Sequence, residues 1–435
     1  MLKKNNISNF IYELMRYQLV IVRTNSFDIL CLKEPYSILP EMDSISIQKS
    51  NLRLIISNTD SSISDLINSK KIRVIISGGG TGGHIFPALA IANALRNSIK
   101  DVEILFVGAI GKMEMEKIPA AGYKIEGLWI GGLQRSLTFK NLTFPFKVIS
   151  SINKSKKIID EFKPDVVIGV GGYASGPILY VAANKKIPTL IQEQNSFPGI
   201  TNKILAKTVD KICVAFSGME KYFPKEKLLL TGNPVRQDIL GIENKYEEAL
   251  AFFGLDNNKK TLLVIGGSLG SRTINLCIKE GLIEFDKNSI QIIWQTGKSF
   301  YNEAMHTIDR LGYSKIKVFE FIDKMDYAYA AAAAVISRAG ASAVSELAEV
   351  AKPSILVPSP NVSEDHQTKN AMTLVKNDAA ILVKDIEAKE KLIGIAIELL
   401  NNDEKKNKLS KNISKLAFRN SANIIVNEIL TMIQR

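Results

Sequence analysis

The chain has 435 residues, 46% hydrophobic and 23% charged, with a formal net charge of +12. That length exceeds one ordinary core and predicts at least two domains, and the composition excludes a disordered or fibrous chain. Three cysteines (Cys31, Cys213 and Cys277) lie far apart without metal-ligand spacing, which argues against a disulfide frame and a zinc site.

The basic excess predicts an anionic partner: nucleic acid, a phosphorylated substrate or an anionic membrane surface. A lysine-rich background is the alternative cause. No apolar run approaches the ~18 residues of a spanning helix. The opening Met1-Leu2-Lys3-Lys4 runs into Asn5, Asn6, Ser8 and Asn9 rather than the apolar core of a secretory signal, so a reduced cytosolic setting is expected.

In chain order, residues 1–70 read as an extension of unknown role. They hold strand-like fragments at Leu19–Val22 and Leu52–Ile56 and a polar stretch from Ser57 to Ser69. From Lys71, strands and helices alternate. Strand 71–77, a helix over 86–97, strand 103–108, a helix near 112–121, strand 123–129 and a helix near 147–162 come first. Strand 165–170, strand 187–191, a helix near 199–207 and strand 211–214 follow. A linker is expected from Asn233 to about Asn258. A second set begins at strand 261–265, with helices near 272–285, 299–311, 324–333 and 343–350. Its later strands are 291–294, 316–319, 334–337 and 353–357. Alternation on this scale predicts parallel sheets covered by helices, twice. The tail, 403–435, reads as helices with one apolar stripe.

Three β-branched runs end in glycine-rich turns: Gly78–His84, Gly171–Pro177 and Gly266–Ser271. A buried parallel strand turning sharply into a helix presents bare backbone N–H groups and a positive helix end, which suits phosphate. Gly78, Gly80 and Gly83 match G-x-G-x-x-G. A dinucleotide site also needs an acid at the tip of the second strand, and Phe106-Val107-Gly108-Ala109 supplies none.

A fourth turn, Ser337-Arg338-Ala339-Gly340, opens a helix at Ala341. Glu346, one turn in, is placed to bridge ribose hydroxyls, or simply to face the helix dipole. Ser268 offers a hydroxyl beside loop N–H groups, and Arg236 offers a fork for phosphate oxygens. His366 and Gln367 follow a strand–loop and are placed for a sugar hydroxyl. His84, at a helix start, fits a neutral general base or a packing role. Glu193 and Asn195 sit at a strand's C-terminal edge, where ligands of open α/β sheets gather. The segment Leu128–Arg135 and Leu142–Lys147, with Lys140, Lys154, Lys156 and Lys157, mixes apolar, aromatic and basic residues as an anionic bilayer surface requires. A core helix with a solvated face is the other reading. No nucleic-acid reader module is present, and no nucleic-acid partner is expected.

Taken together, Gly78–His84, Gly171–Pro177, Gln192–Asn195, Gly232–Arg236, Gly266–Ser271, Phe321-Ile322-Asp323, Arg338–Glu346, His366-Gln367 and Asn370-Ala371 resemble the MurG family over residues 71–435. These are bacterial hexosyltransferases that move N-acetylglucosamine from its UDP donor to the lipid I intermediate, giving lipid II. The resemblance implies a GT-B fold: two Rossmann-like parallel-sheet domains facing across a cleft. It places the acceptor and membrane-side domain at 71–235, the UDP-sugar domain at 236–414, and a last helix (415–435) crossing back to the first domain. It implies an inverting, metal-independent reaction without cofactor, at the cytoplasmic face of the inner membrane, with UDP-N-acetylglucosamine, lipid I and the anionic membrane surface as partners.

By motif, the donor contacts would be Thr81, Gly82, Gly83, Asn195, Arg236, Ser268, Ile322, Ala341, Ser342, Ala343, Val344, Ser345, Glu346 and Gln367. Ile322 would meet uracil through its backbone. Gly171, Gly172, Tyr173 and Ser175 would line the acceptor side. His84 is the candidate base, with Glu193 a lesser catalytic candidate.

Overall fold

The structure is a computed structural model that describes residues 20–23, 28–31, 71–132, 143–362 and 365–434. It divides into two compact units, Met1–Lys70 and Lys71–Arg435. In the first, β1 (Val20–Arg23) and β2 (Asp28–Cys31) form an antiparallel pair with Val20 opposite Cys31. The expected fragment Leu52–Ile56 and the polar stretch Ser57–Ser69 lie outside the described residues.

The second unit starts with β3 (Ile72–Ser77), α1 (Gly82–Ser98), β4 (Val102–Ala109), α2 (Glu114–Ala120), β5 (Lys124–Leu128) and α3 (Phe144–Phe162). Next come β6 (Val166–Gly169), α4 (Ser175–Asn184), β7 (Thr189–Glu193), α5 (Ile200–Leu205), β8 (Lys211–Val214) and β9 (Leu228–Leu230). These strands form one parallel sheet in the order β5-β4-β3-β6-β7-β8-β9. After α6 (Tyr246–Phe253) the pattern recurs with β10 (Lys260–Ile265), α7 (Arg272–Lys287), β11 (Ile290–Gln295), α8 (Tyr301–Leu311), β12 (Ile316–Phe319) and α9 (Met325–Ala331). It continues through β13 (Ala334–Ser337), α10 (Ala341–Glu349), β14 (Ser354–Leu356), α11 (His366–Val375), β15 (Ile381–Leu382), α12 (Ala388–Asn401), α13 (Asp403–Ser414) and α14 (Ser421–Ile433). The second sheet has the order β12-β11-β10-β13-β14-β15, again parallel.

Strand residues alternate between the two faces, and the core shows it. Leu263, Ile265, Ile293 and Val335 pack with residues of α6, α9, α10 and α11 on one face of the second sheet. Leu262, Val264, Ile292, Trp294 and Ile336 pack with α7, α8 and α12 on the other. Both faces are covered, which is why the strands read as continuous apolar runs.

Four helices depart from the sequence expectation, one of them α11, which follows the strand–loop and buries Asn370, Ala371 and Leu374. α4, unforeseen after the second glycine turn, buries Ile178, Leu179, Val181 and Ala182 and so lacks a one-sided stripe. α6 falls within the expected linker and buries Ala249, Leu250 and Phe253. α12 precedes the expected helical tail and buries Leu392, Ala396 and Leu399. α14 packs on α1, and Lys211 Nζ in β8 meets Glu428 Oε1 in α14 at 3.1 Å.

Each sheet reverses its strand order once, between β3 and β6 in the first and between β10 and β13 in the second. Chains leaving such neighbours diverge and open a crevice at the strands' C-terminal ends. The first two glycine turns follow β3 and β6, and the third glycine turn and Arg338-Ala339-Gly340 follow β10 and β13.

The first crevice is closed by backbone contact. Gly172 has φ +86°, and a Cβ there would lie 2.6 Å from the Gly79 carbonyl oxygen. Gly172→Ala is therefore expected to destabilise by about 1–3 kcal/mol through a strained backbone and a backbone clash. Urea unfolding checks this; an unchanged midpoint would contradict it.

Candidate active site

α1 begins at Gly82 with Thr81 as its N-cap, so His84 lies in the first turn rather than just ahead of the helix. Its Nδ1 is 2.9 Å from the Gly79 carbonyl oxygen. A carbonyl only accepts, so Nδ1 carries the hydrogen and the neutral ring keeps its lone pair on Nε2. Burial pushes the His84 pKa below its ordinary 6.5. Its bond to the Gly79 carbonyl and the charges of Glu193 and Glu114 oppose that shift, and His366 adds to it. Burial wins, leaving a neutral base at neutral pH.

Glu114, which no motif marks, is fully buried and anchors the first glycine turn. Its Oε2 accepts from the Gly80 N–H at 2.8 Å and its Oε1 from the Ala109 N–H at 3.0 Å. An acid does reach the tip of β4, then, but it comes from α2. It is spent on protein N–H groups, including one that a dinucleotide phosphate would need.

Glu193 is engaged on all sides. Oε1 accepts from the N–H and side-chain amide of Asn195 at 3.0 and 3.2 Å. Oε2 accepts from the Gly199 N–H and the Asn202 amide at 3.0 and 2.9 Å. Four donors fill its acceptor capacity, so Glu193 builds the loop after β7 and acts on His84 through its charge.

On the acceptor-side list, Gly171 has φ +88°, and a Cβ there would sit 2.8 Å from His84 Nε2. The Ser175 hydroxyl is given to the Gly172 carbonyl at 2.8 Å, and Tyr173 is half exposed beside Gly132. These residues shape the turn that faces His84.

Across the cleft, α10 starts at Gly340 without a side-chain cap, so its first N–H groups, from Ala341 to Ala343, remain for an anion. Val344 is buried in the core and orients this helix. Glu346 accepts from the Tyr329 hydroxyl at 2.9 Å. Burial raises the Glu346 pKa, against the pull of Arg236 and Tyr329. Arg236 donates from Nε to Asp238 at 2.8 Å and from Nη2 to the Asp323 carbonyl at 3.4 Å. Burial would lower its pKa, but Asp238, Glu346 and Tyr329 hold it raised. Arg236 thus joins the acid expected at the ribose.

Ile322 donates its N–H to Gln295 Oε1 at 2.9 Å, so its backbone is already partly engaged where uracil is expected. Gln367 Oε1 accepts from the Ser359 N–H at 2.9 Å.

The two sheets meet through these residues. The Ser342 hydroxyl lies 3.4 Å from the Gly83 carbonyl, and a side chain at Gly82 would come within 3.5 Å of Ser268 Oγ. Phe86 stacks on Phe321 with centroids 6.4 Å apart. Asn370 Oδ1 accepts from the Ser196 N–H and hydroxyl at 3.2 and 3.0 Å. Its Nδ2 donates to Asn195 Oδ1 at 3.3 Å. Asn233 Nδ2 donates to the Gln194 carbonyl at 3.0 Å and to Ser345 Oγ at 2.9 Å. Among the described residues, no group of three or more His, Cys, Asp or Glu side chains is arranged to hold a metal ion.

Residues 74–214 match the glycosyltransferase family 28 N-terminal domain, and 261–425 match the family 28 C-terminal domain. The chain belongs to glycosyltransferase family 28. It is 53% identical over 366 residues to a UDP-N-acetylglucosamine--N-acetylmuramyl-(pentapeptide) pyrophosphoryl-undecaprenol N-acetylglucosamine transferase of Parabacteroides distasonis, covering 84% of this chain and 100% of that protein. A Cytophaga hutchinsonii protein of the same name is 54% identical, covering 84% and 98%. Acinetobacter baumannii MurG, a solved structure, is 25% identical with a TM-score of 0.63, covering 83% of this chain and 99% of that one. The UDP-GlcNAc 2-epimerase of Neisseria meningitidis, at 15% identity and TM-score 0.58 over 83% of this chain and 100% of that one, shares the fold alone.

The family 28 match accounts for the doubled sheet and the GT-B arrangement. It leaves Glu114, Tyr329, Gln295 and Asn233 to be found by geometry. Only Asn233 carried a sequence signal, as part of Gly232–Arg236 at the crossing between sheets. Glu114, Tyr329 and Gln295 sit in ordinary helix and strand patterns and reach the candidate site only by where the fold delivers them.

Glu346→Ala is expected to raise the KM for UDP-N-acetylglucosamine by about tenfold or more, the loss of a charged hydrogen-bond acceptor, with the acceptor KM little changed. Steady-state kinetics in both substrates checks this, and an unchanged donor KM removes Glu346 from the ribose site.

Proposed function

We infer that this chain transfers N-acetylglucosamine from UDP-N-acetylglucosamine to N-acetylmuramyl-pentapeptide pyrophosphoryl-undecaprenol (lipid I), forming lipid II for peptidoglycan synthesis. One observation carries the reading. The uncapped start of α10, with Glu346, abuts the glycine turn that bears His84, and Ser342 Oγ approaches the Gly83 carbonyl, in a chain half identical to transferases of this name over their whole length.

In this reading 71–235 forms the acceptor domain and 236–414 the donor domain, with 415–435 returning to the first. UDP lies with its diphosphate at Ala341–Ala343 and its ribose at Glu346. Thr81, Gly82, Gly83, Asn195, Ser268, Ser345 and Gln367 surround the sugar. The acceptor's 4-hydroxyl gives its proton to His84 Nε2 as its oxygen bonds to the anomeric carbon. The bond from that carbon to the phosphate oxygen breaks, and its electron pair leaves with UDP. Attack opposite the leaving group inverts the anomeric centre. Charge growing on the diphosphate is met by helix N–H groups and Arg236, groups already in place before the reaction. No metal or cofactor is assigned a step.

The acceptor is a membrane lipid, and the first domain presents a fitting surface. Ile110, Trp129, Phe146 and Ile149 are all more than half exposed near the end of β5 and the start of α3. Ser151 in α3 ties its hydroxyl to the Trp129 carbonyl at 3.1 Å, and Lys147 Nζ lies 5.6 Å from the Trp129 ring centroid. Lys154, Lys156 and Lys157 follow on the same helix, while Gln134, Arg135 and Lys140 lie outside the described residues. No described helix is long and apolar enough to cross a membrane. We place the enzyme peripherally at the cytoplasmic face of the inner membrane, held by apolar contact and lysines.

Supplied with UDP-N-acetylglucosamine, the protein should glycosylate lipid I and leave diacylglycerol unmodified. Product on diacylglycerol alone would mark a different lipid glycosyltransferase, and donor binding without any product would mark a non-catalytic binder. His84→Ala should lower turnover by about a hundredfold or more with donor affinity kept. Because only the neutral ring accepts a proton, wild-type activity should fall as pH drops through a midpoint below 6.5. Near-normal turnover in the variant, or a midpoint above 6.5, removes His84 as the base.

Trp129→Glu with Phe146→Glu should abolish sedimentation with phosphatidylglycerol-containing vesicles while leaving UDP-N-acetylglucosamine binding intact. Undiminished sedimentation would move the membrane contact elsewhere.

A further inference from the structure

Gln194 is almost completely buried between the two glycine turns of the first sheet. Its side-chain NH2 faces three acceptors: the Val170 carbonyl at 3.0 Å, the Gln192 carbonyl at 3.1 Å and the Gln192 side-chain oxygen. Turning the amide over would set its oxygen against all three, so the hydrogen bonds fix its orientation. The amide oxygen, Oε1, is buried and has no hydrogen-bond partner. A buried acceptor without a donor costs ~1–3 kcal/mol, so its retention calls for a reason.

Its surroundings supply one. The point that a side chain at Gly171 would occupy lies 3.6 Å from Gln194 Oε1 and 2.8 Å from His84 Nε2. Both atoms thus lie beside the Gly171 backbone. In the neutral ring both are acceptors, because Nδ1–H is committed to the Gly79 carbonyl. No hydrogen bond joins the two atoms in the resting enzyme.

We propose that Gln194 is the partner of His84 in its protonated state, its amide oxygen receiving the Nε2–H that His84 acquires from the acceptor hydroxyl. The proposal rests on the base assignment above. An acceptor unpaired in the resting enzyme and paired once the proton has moved favours the later stage of the reaction over the earlier one. The proton leaves the sugar oxygen for Nε2 as the glycosidic bond forms and UDP departs. Release of that proton to solvent restores the unpaired amide.

Gln194 is a positioning residue in this scheme, because it acts through His84. The same amide is wired to the other sheet. Gln192 Nε2 donates to Asn233 Oδ1 at 2.9 Å, and Asn233 Nδ2 donates to Ser345 Oγ in α10. The groups that also face His84 are Glu193 after β7, Glu114 from α2 and His366 from α11. The first two favour the cation and the third opposes it.

The test uses the full-length protein and Gln194→Met, which keeps bulk and removes the acceptor. Turnover on lipid I should fall about tenfold, and the acidic limb of the pH profile should move about one unit lower, the loss of one hydrogen bond to a charged group. Binding of UDP-N-acetylglucosamine should be unchanged. An unmoved limb, with lost stability instead, would make Gln194 purely structural and overturn the proposal.

Nitrogen-15 NMR of the wild-type imidazole tests the pairing without turnover or a variant. The neutral ring should carry its hydrogen on Nδ1, and at low pH a slowly exchanging Nε2–H should appear. A neutral ring protonated at Nε2, or a freely exchanging Nε2–H in the cation, would overturn the pairing. If the NMR signature is present while His84→Ala keeps its activity, the base assignment fails and the proposal fails with it.

Discussion

The cleft depends on backbone meeting backbone between the first two glycine turns. Gly172 can lie against Gly79 only because it has no Cβ, and the left-handed φ at Gly171 and Gly172 bends the second turn back over the first. Gly79 then presents the carbonyl that fixes the His84 tautomer, and Glu114 clamps the next N–H of the same turn. The turn first suggested a phosphate cradle. It works at least as much as a mount for one imidazole, with Gly80 in a left-handed φ and its N–H taken by Glu114 rather than left for a dinucleotide phosphate.

Buried polar groups join the two sheets where an apolar interface would leave them free to slide. Asn233 and Asn370 each bond to both sides, and Gln192, Gln194, Asn195, Ser196 and Ser345 complete the set. Such a network is costly when half made and directional when whole. It ties the end of β7 and the loop after it, with Glu193 and Asn195, to the helix start proposed for the diphosphate. The two sheets are thereby held in register by hydrogen bonds of defined geometry.

Electrostatics divides along the same line. Near His84 two carboxylates oppose the effect of burial, and burial prevails. Near Glu346 burial raises the carboxyl, and Arg236 and Tyr329 pull it back. The exposed apolar and lysine-bearing edge of the first domain gives part of the +12 charge a location, the one proposed to meet lipid.

By itself, the sequence determined most strands, the doubled α/β plan and the family. β-branched runs such as Arg73–Ile76 and Thr261–Ile265 ending in glycines have few other ways to fold, and the ordered motifs are specific. It did not reveal α4, whose apolar residues surround it and leave no stripe, nor α6, whose short amphipathic run sat in a polar linker. Glu114 and Tyr329 were equally silent, and the Gln192–Asn195 motif did not say where its Gln194 amide would face. Glu114 reaches the tip of β4 from the following helix, Tyr329 meets Glu346 from a separate helix, and Gln194 faces His84 across the switch between β3 and β6. Those placements follow from strand order and turn direction, which no local pattern encodes. A motif names the residues that can do chemistry, whereas only the packed sheets decide which lone pair is left bare and which is spent.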